Sequence, residues 1–171
     1  KAPSEIYWTN NPLNRMKDLP NVAMDGQHYY ANEKTSEMMQ DFQASVMSID
    51  PSGRGSDETG YAVGKMLNGN IYVPEAGGLS GGYDEATLVE LCMIAKRNKV
   101  NYVVIESNFG DGMFKELLAP HMARIYPCTL EEVTHNKQKE LRIIDTLEPL
   151  MNQHRLIVSP SVIRKDYETA M

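Results

Sequence analysis

The chain has 171 residues, of which 42% are hydrophobic and 23% charged, and its net charge is −6. This length suits one ordinary domain, the composition is globular, and no apolar run approaches the 18 residues of a membrane span. The acidic balance excludes a protein whose whole surface binds nucleic acid but allows a local basic track. Cys92 and Cys128 form no metal-ligand cluster, which argues against structural zinc; a single disulfide stays an open alternative.

Residues 1–44 are predicted to be a linker or extended arm. Turn signals such as Asn10-Asn11-Pro12 and Asp25-Gly26 break up this region, and a short helix is expected only near Ser36–Gln40. Aromatic side chains, Trp8 among them, could pin the arm onto a folded body. The first residues do not form a signal peptide and are interpreted as the cut end of a longer chain.

Three consecutive strands are predicted from residue 45 onward, at 45–50, 60–67 and 71–76. The Asn68-Gly69-Asn70 step between the second and third strands is a strong hairpin signal, so the three strands should pair antiparallel. A glycine loop containing Gly77-Gly78 and Gly81-Gly82 should follow. Apolar residues at helical spacing then predict a helix over 84–98 with Asp84 as its N-cap.

The rest of the chain alternates between strands and helices. In order, the pattern predicts a strand at 100–106, a helix at 111–122, a short strand at 123–128, a helix at 136–152, a strand at 156–158 and a helix at 160–170. An antiparallel trio followed by βα units indicates an α/β domain of residues 45–171. Its core would be a mixed five-stranded sheet with helices on both faces, an RNase H-like arrangement in which the first and fourth strands are neighbours.

Two of these predicted strands end in a carboxylate and then enter a glycine-containing loop. They are the first strand, ending in Asp50, and the fourth, ending in Glu106. Asp50 alone could cap a turn, and Glu106 alone could form an ion pair. If the strands are adjacent, the carboxylates meet at one sheet edge, where oxygen ligands suit Mg²⁺ or Mn²⁺ and two-metal phosphodiester hydrolysis. Asp50 is the candidate bridging ligand, and Asp57 a supporting carboxylate.

A basic stripe near residue 139 is the best candidate for phosphate contact. Lys139 and Arg142 are three residues apart on the predicted helix, with Lys137 beside them, although a solvated helix start explains them equally well. Arg54 in the first glycine loop is a weaker candidate for DNA contact. Gly60–Lys65 superficially resembles a P-loop but has the wrong glycine spacing and lies inside a strand, so it is rejected.

Three sequence segments together resemble the nuclease domain of the large terminase subunit of T7-like tailed phages and their cyanophage relatives. They are Asp50-Pro51-Ser52-Gly53-Arg54-Gly55 with Asp57-Glu58-Thr59-Gly60-Tyr61, then Glu106-Ser107-Asn108-Phe109-Gly110-Asp111-Gly112, and finally Lys139-Glu140-Leu141-Arg142-Ile143-Ile144-Asp145. The resemblance covers roughly residues 45–171. It implies an RNase H-like, Mg²⁺- or Mn²⁺-dependent endonuclease that cuts concatemeric viral DNA during genome packaging in the host cytoplasm.

The resemblance also implies partners and site residues. The partners would be double-stranded viral DNA, an ATPase domain joined through the arm, the portal and the small terminase subunit. Asp50 and Glu106 would be two of three acidic metal ligands, Asp57 an accessory acid, and Lys139 a basic residue near the site. The family's third ligand has no match here and is expected beyond Met171, so the chain alone would cut poorly or not at all.

Other functions fit parts of the pattern. A resolvase- or transposase-type core would share the fold but recognise branched or specific DNA. An actin-like phosphate-binding domain would need a second, duplicated domain that 171 residues cannot hold. A non-catalytic docking module is the fourth reading, because the third carboxylate is missing.

Overall fold

The computed structural model describes residues 1–20, 28–52, 58–106, 112–134 and 149–170, with side chains described as far as 165. Its centre is a sheet of six strands: β5 (Ala44–Asp50), β6 (Thr59–Leu67), β7 (Asn70–Leu79), β8 (Tyr102–Glu106), β9 (Thr129–Val133) and β10 (Leu156–Val158). They lie side by side in the order β10-β7-β6-β5-β8-β9. The mixed α/β class is confirmed, and the predicted count of five strands was one short because β10 joins the sheet.

The first three strands of the sheet form the predicted antiparallel trio. Asn68 and Gly69 take φ values of +49° and +82°, the left-handed pair that a tight hairpin turn requires. β7 continues to Leu79, so the predicted glycine loop begins later than expected. Gly77 and Gly78 lie inside β7, where they pair with Tyr61 and Gly60 of β6. Backbone pairing with a long neighbouring strand thus overrides the turn preference of glycine.

One face of the sheet carries the hydrophobic core. Residues at alternate positions of β5 and β8 point to this face and are almost fully buried: Met47, Ile49, Val103 and Ile105. They pack against helix α1 (Glu85–Arg97) and helix α2 (Met113–Ile125). Helix α1 begins directly after Asp84, as predicted, and its last turn carries Lys96 and Arg97, where cations suit the helix dipole.

The boundary between α2 and β9 differs from the sequence prediction. The helix runs through Pro120 to Ile125, and the following strand occupies 129–133 rather than 123–128. Met122 is buried and Ile125 packs against the core, three residues apart on the same helical side. Their burial outweighs the hydrogen bond that Pro120 removes, so the helix does not end there.

Residues 1–20 and 28–40 form two small strand pairs, which the sequence pattern did not predict. β1 (Ala2–Pro3) pairs with β4 (Met39–Gln40), and β2 (Ile6–Tyr7) pairs with β3 (Lys34–Thr35). A three-residue 3-10 helix covers Pro12–Asn14. The short helix expected near Ser36–Gln40 is wrong. There Ser36 donates its hydroxyl to Met38 O (3.3 Å) and contacts the Ser4 hydroxyl (2.9 Å), which holds the segment extended beside β1.

The C-terminal part adds the edge strand β10 and helix α3 (Pro160–Ala170), both at the predicted positions. β10 runs parallel to β7 through the pairs Leu156↔Ile71 to Val158↔Val73. The helix predicted over 136–152 lies mostly outside the described residues, although 149–152 are helical. Within the part of the chain that the structure describes, no helix is long and apolar enough to cross a membrane.

A partly buried polar network joins the end of α1 to the sheet. Arg97 donates to both carboxylate oxygens of Glu75 on β7, Tyr61 Oη donates to Glu75 Oε2 (3.0 Å), and Asn98 Nδ2 donates to Glu75 Oε1 (3.1 Å). The Arg97 hydrogen bonds are the largest effect on Glu75 and lower the pKa of its carboxyl group. Burial, followed by the Glu75 bond, raises the pKa of Tyr61 to about 12, so its hydroxyl stays a donor.

This network should make the folded chain less stable at acid pH. Because the folded-state pKa of Glu75 lies below the unfolded value of about 4.3, its stabilisation is present above that pH and is lost as pH falls through the folded pKa. We expect Glu75→Gln to lower the free energy of unfolding at pH 7 by about 1 kcal/mol, since Arg97 is half-exposed. Urea titrations should show this difference shrinking below about pH 4.5.

Glu90→Gln is the matched control, because Glu90 also contacts Arg97 but at 3.4 Å and at an exposed site. Its effect should be a few tenths of a kcal/mol at most. Equal and pH-independent losses in the two variants would contradict the assignment of the pH dependence to Glu75.

Candidate metal and DNA site

The two predicted carboxylates lie side by side at one edge of the central sheet. β5 and β8 are parallel neighbours whose last register pair is Ile49↔Ile105. Asp50 and Glu106 each follow that pair by one residue, so they lie next to each other where the two strands end; adjacent strands are usually spaced about 4.8 Å apart. Both side chains are partly exposed. The predicted adjacency of the first and fourth strands of this fold is therefore confirmed.

Strand alternation places both carboxylates on the face opposite the core. Ile49 and Ile105 point toward α1 and α2, and the next residue of each strand must point the other way. We call this the carboxylate face. Burial of the two isoleucines fixes the register of both strands, because a shift by one residue would bury a carboxylate in place of an isoleucine. The core therefore sets the position of the site.

Beside Asp50, the carboxylate face lacks side chains on two strands. Asp50 pairs with Gly60, and Gly60 pairs with Gly78. A Cβ atom on Gly60 would lie 3.9 Å from the Asp50 Cβ, and the space of a Gly78 side chain is occupied by the Glu58 carboxylate, whose Cδ lies 3.1 Å from the Cβ position. Glu58 therefore lies on the same face as Asp50, two strands away from it.

The face continues on β9 with another acidic side chain. Glu131 pairs with Val104, which precedes Glu106 by two residues on the same face. Glu132 points to the other face, and its Oε2 lies 3.2 Å from the Cβ position of Gly112, the residue that precedes α2 with φ +82°. A carboxylate there suits the positive end of the α2 dipole, which gives Glu132 a structural role.

The donor chemistry of Asp50 and Glu106 fits a hard divalent cation, because adjacent carboxylate oxygens are the ligands that Mg²⁺ and Mn²⁺ prefer. Within the described ranges no group of three or more His, Cys, Asp or Glu side chains is arranged to hold a metal ion. The remaining predicted site residues lie outside the described residues: Arg54, Asp57, Lys137, Lys139 and Arg142. Their roles stay predictions.

Glu58 and Glu131 are acidic side chains of this face that sequence reasoning did not single out. The sequence pattern predicts Asp57, the neighbour of Glu58 in the same polar loop, as the supporting carboxylate. The signal that distinguishes them is strand alternation: Glu58 precedes Gly60 by two residues, and Gly60 is the partner of Asp50.

Comparison with known proteins agrees with the fold and with the resemblance. Residues 49–156 match the family described as Terminase Bacteriophage T7, Ribonuclease H-like domain. The chain is 47% identical over 170 residues to the large terminase subunit of Enterobacteria phage T3. The aligned region covers 99% of this chain but only 29% of that protein. The chain thus spans less than a third of the length of this relative.

Solved structures share the fold at low sequence identity. The human cytomegalovirus terminase nuclease domain, in a Mn-soaked and inhibitor-bound form, superposes with a TM-score of 0.52 at 10% identity, covering 71% of this chain and 64% of that one. A second structure of that domain gives a TM-score of 0.51 over 69% of this chain and 65% of that one, also at 10% identity. These matches concern the RNase H-like fold. The family match over residues 49–156 and the 47% identity to the phage T3 protein show that the chain belongs to the T7-type terminase RNase H-like family of large terminase subunits.

Proposed function

We propose that the chain is a divalent-metal-dependent endonuclease domain that cuts concatemeric viral DNA during genome packaging. The observation that carries the proposal is the pairing of Asp50 and Glu106 at the ends of adjacent parallel strands, on the face opposite the core. Membership of a terminase family supports DNA as the substrate. The family match also favours this function over a resolvase- or transposase-type core.

Asp50 and Glu106 would hold Mg²⁺ or Mn²⁺, with Asp50 as the bridging ligand. When bound, such ions activate water and stabilise charge on the phosphate that is cut. A manganese-soaked structure of the cytomegalovirus nuclease domain supports this choice of metal. The chain's own contribution is to fix the two carboxylates through the buried Ile49↔Ile105 pair and to leave the position next to Asp50 without a side chain, at Gly60.

The other assignments are proposals on weaker support. A third acidic ligand would complete the site, with Asp57 as an accessory acid and Glu58 as a further carboxylate at the rim. Lys139 would stabilise charge near the cut phosphate, while Arg54, Lys137 and Arg142 would contact the DNA backbone.

The charge of the chain bears on how DNA reaches this site. A net charge of −6 and a face carrying Asp50, Glu106, Glu58 and Glu131 give weak affinity for a polyanion. The rest of the large subunit, including an ATPase domain, would therefore hold the DNA, with the portal and small subunit as further partners. Tethering raises the local DNA concentration at a site that binds DNA weakly by itself.

The direct test is cleavage of supercoiled plasmid by a large subunit that contains this chain and has the length of its T3 relative. We expect nicking and linearisation with Mn²⁺ or Mg²⁺ and none after chelation by EDTA. Cleavage that persists in EDTA at full rate would contradict a metal-dependent nuclease. Absence of cleavage with either metal, in a subunit that still binds DNA, would favour the docking-module function.

A further inference from the structure

The edge strand β10 forms few contacts with the rest of the sheet. Among the described strands, β10 pairs only with β7, through three residues. Helix α3 follows after Ser159, whose N–H donates to Val73 O (3.1 Å), and Ile163 is its buried apolar anchor. A three-residue parallel edge strand is weakly stable without further packing. Contacts with other parts of the chain would therefore add to the stability of β10 and α3.

His154 provides such a contact immediately before β10. Its ring stacks on Trp8 with centroids 5.3 Å apart at 14°, and meets the edge of Tyr30 at 5.7 Å. Its Nε2 lies 3.2 Å from Asn10 Oδ1. All three partners belong to the N-terminal arm. The chain here is strained, since His154 has φ +54°, and such a conformation persists only where surrounding contacts fix it.

Further contacts connect the arm to the same edge. Arg164 of α3 lies 3.8 Å from Asp18 of the arm, an exposed pair of small energetic value. Asn68 of the β6–β7 turn donates to Ser4 O (2.9 Å), and Arg155 Nε donates to Gly69 O (2.7 Å). The arm, the hairpin turn and the start of β10 are thus joined by several contacts, of which the His154 stack is one.

Helix α3 extends from these contacts toward the strands that bear the carboxylate face. Its Lys165 amine fills the space that a Gly77 side chain would occupy and lies 6.0 Å from the centre of the Tyr61 ring. Gly77 pairs with Tyr61 and therefore lies on the core face, whereas Gly78, the next residue of β7, has Glu58 over it on the carboxylate face. Helix α3 therefore contacts β7 on the face opposite the carboxylates, at the residue next to Gly78.

We infer that the arm is a strap: through the Trp8–His154 stack it holds β10 and α3 against β7. Release of the strap then loosens β10, α3 and their contacts with β7, so a force or a partner acting on the arm can change β7, the strand whose Gly78 lies under Glu58 of the carboxylate face. This coupling is independent of whether the face hydrolyses DNA. It assigns the arm a conformational role that a passive linker lacks.

Amide hydrogen exchange on the whole chain tests the strap. Trp8→Ala should speed exchange of the β10 amides that bond to β7, and of the α3 amides, by about tenfold, a change of roughly 1.4 kcal/mol in local opening. Exchange in β5 and β8 should stay unchanged, which shows that the variant is folded. Trp8→Phe keeps an aromatic stacking partner and should restore most of the protection.

A second variant removes the stack from the other side. His154→Asn tolerates the same positive φ and loses only the ring, so it should reproduce the effect of Trp8→Ala. The double variant should then be no worse than either single one, as expected of two residues in one contact. Leu13→Ala, at an 89% exposed position of the arm, is the control and should change nothing. Faster exchange confined to the arm in Trp8→Ala, with β10 and α3 still protected, would refute the coupling.

Discussion

Asp50→Asn is expected to lower metal-dependent DNA cleavage by about a thousandfold or more, equivalent to ~4 kcal/mol of transition-state stabilisation. The variant keeps the shape of the side chain and removes the charge that a metal ligand requires. Glu106→Gln should have an effect of the same order, because the two residues occupy adjacent positions at the end of β5 and β8. Initial rates of plasmid nicking by the full-length subunit, with Mn²⁺ at saturation, measure both losses.

The control for this pair is Glu131→Gln. Glu131 lies on the same face, on the strand next to Glu106, and is exposed. Its removal changes the net charge of the face as much as either site variant does, so a general electrostatic effect on DNA binding would appear in all three. We expect near wild-type cleavage from Glu131→Gln. Calorimetric titration with Mn²⁺ should show weaker binding in the Asp50 and Glu106 variants alone, and cleavage at the wild-type rate by both would refute the site.

A double variant shows whether the two carboxylates act as one unit. Residues that hold the same ion lose their function together, so Asp50→Asn with Glu106→Gln should cut no more slowly than the worse single variant. Independent contributions would multiply the two losses instead. That outcome would mean that the two carboxylates have different roles, for example that one binds the metal ion and the other contacts the attacking water.

The elements that sequence predicted well are those whose signal is local. The Asn68-Gly69 turn fixes its hairpin by backbone conformation alone, and the buried periodicity of α1 needs no knowledge of its neighbours. The adjacency of Asp50 and Glu106 is not local, and it was predicted from the order of strands in the chain. It holds because a parallel β8 next to β5 lets the intervening α1 cover one face.

The elements that sequence predicted poorly are decided by tertiary contacts. Gly77 and Gly78 have the composition of a loop, yet β6 supplies them with pairing partners. Pro120 suggests the end of a helix, yet burial of Met122 carries α2 past it. The proximity of Trp8 and His154 joins residues 146 positions apart, and no local pattern encodes such a contact. Glu58 was missed for a related reason, since its face depends on where β6 begins.

Because the buried core sets the position of the carboxylates, a cavity in that core should lower both the stability of the fold and the rate of DNA cleavage. Ile105 is 1% exposed, directly precedes Glu106, and pairs with the fully buried Ile49. We expect Ile105→Ala to lower the free energy of unfolding by about 3 kcal/mol, through lost burial and the cavity left behind. Urea denaturation measures this loss, and Ile105→Val should cost only about 1 kcal/mol.

The same variant tests whether packing positions the carboxylates. A cavity beneath Ile49 and Ile105 lets the ends of β5 and β8 relax, and a shift of about 1 Å at reacting groups can cost a hundredfold in rate. Ile105→Ala should therefore cut DNA more slowly at a temperature where it is fully folded, with Ile105→Val in between. Leu118→Ala, an equally buried change, is the matched control because it removes core volume from helix α2 and not from a strand that ends in a carboxylate. Equal slowing by Ile105→Ala and Leu118→Ala would mean that the cleavage rate follows global stability. Slowing by Ile105→Ala alone would mean that packing beneath the carboxylates sets their geometry.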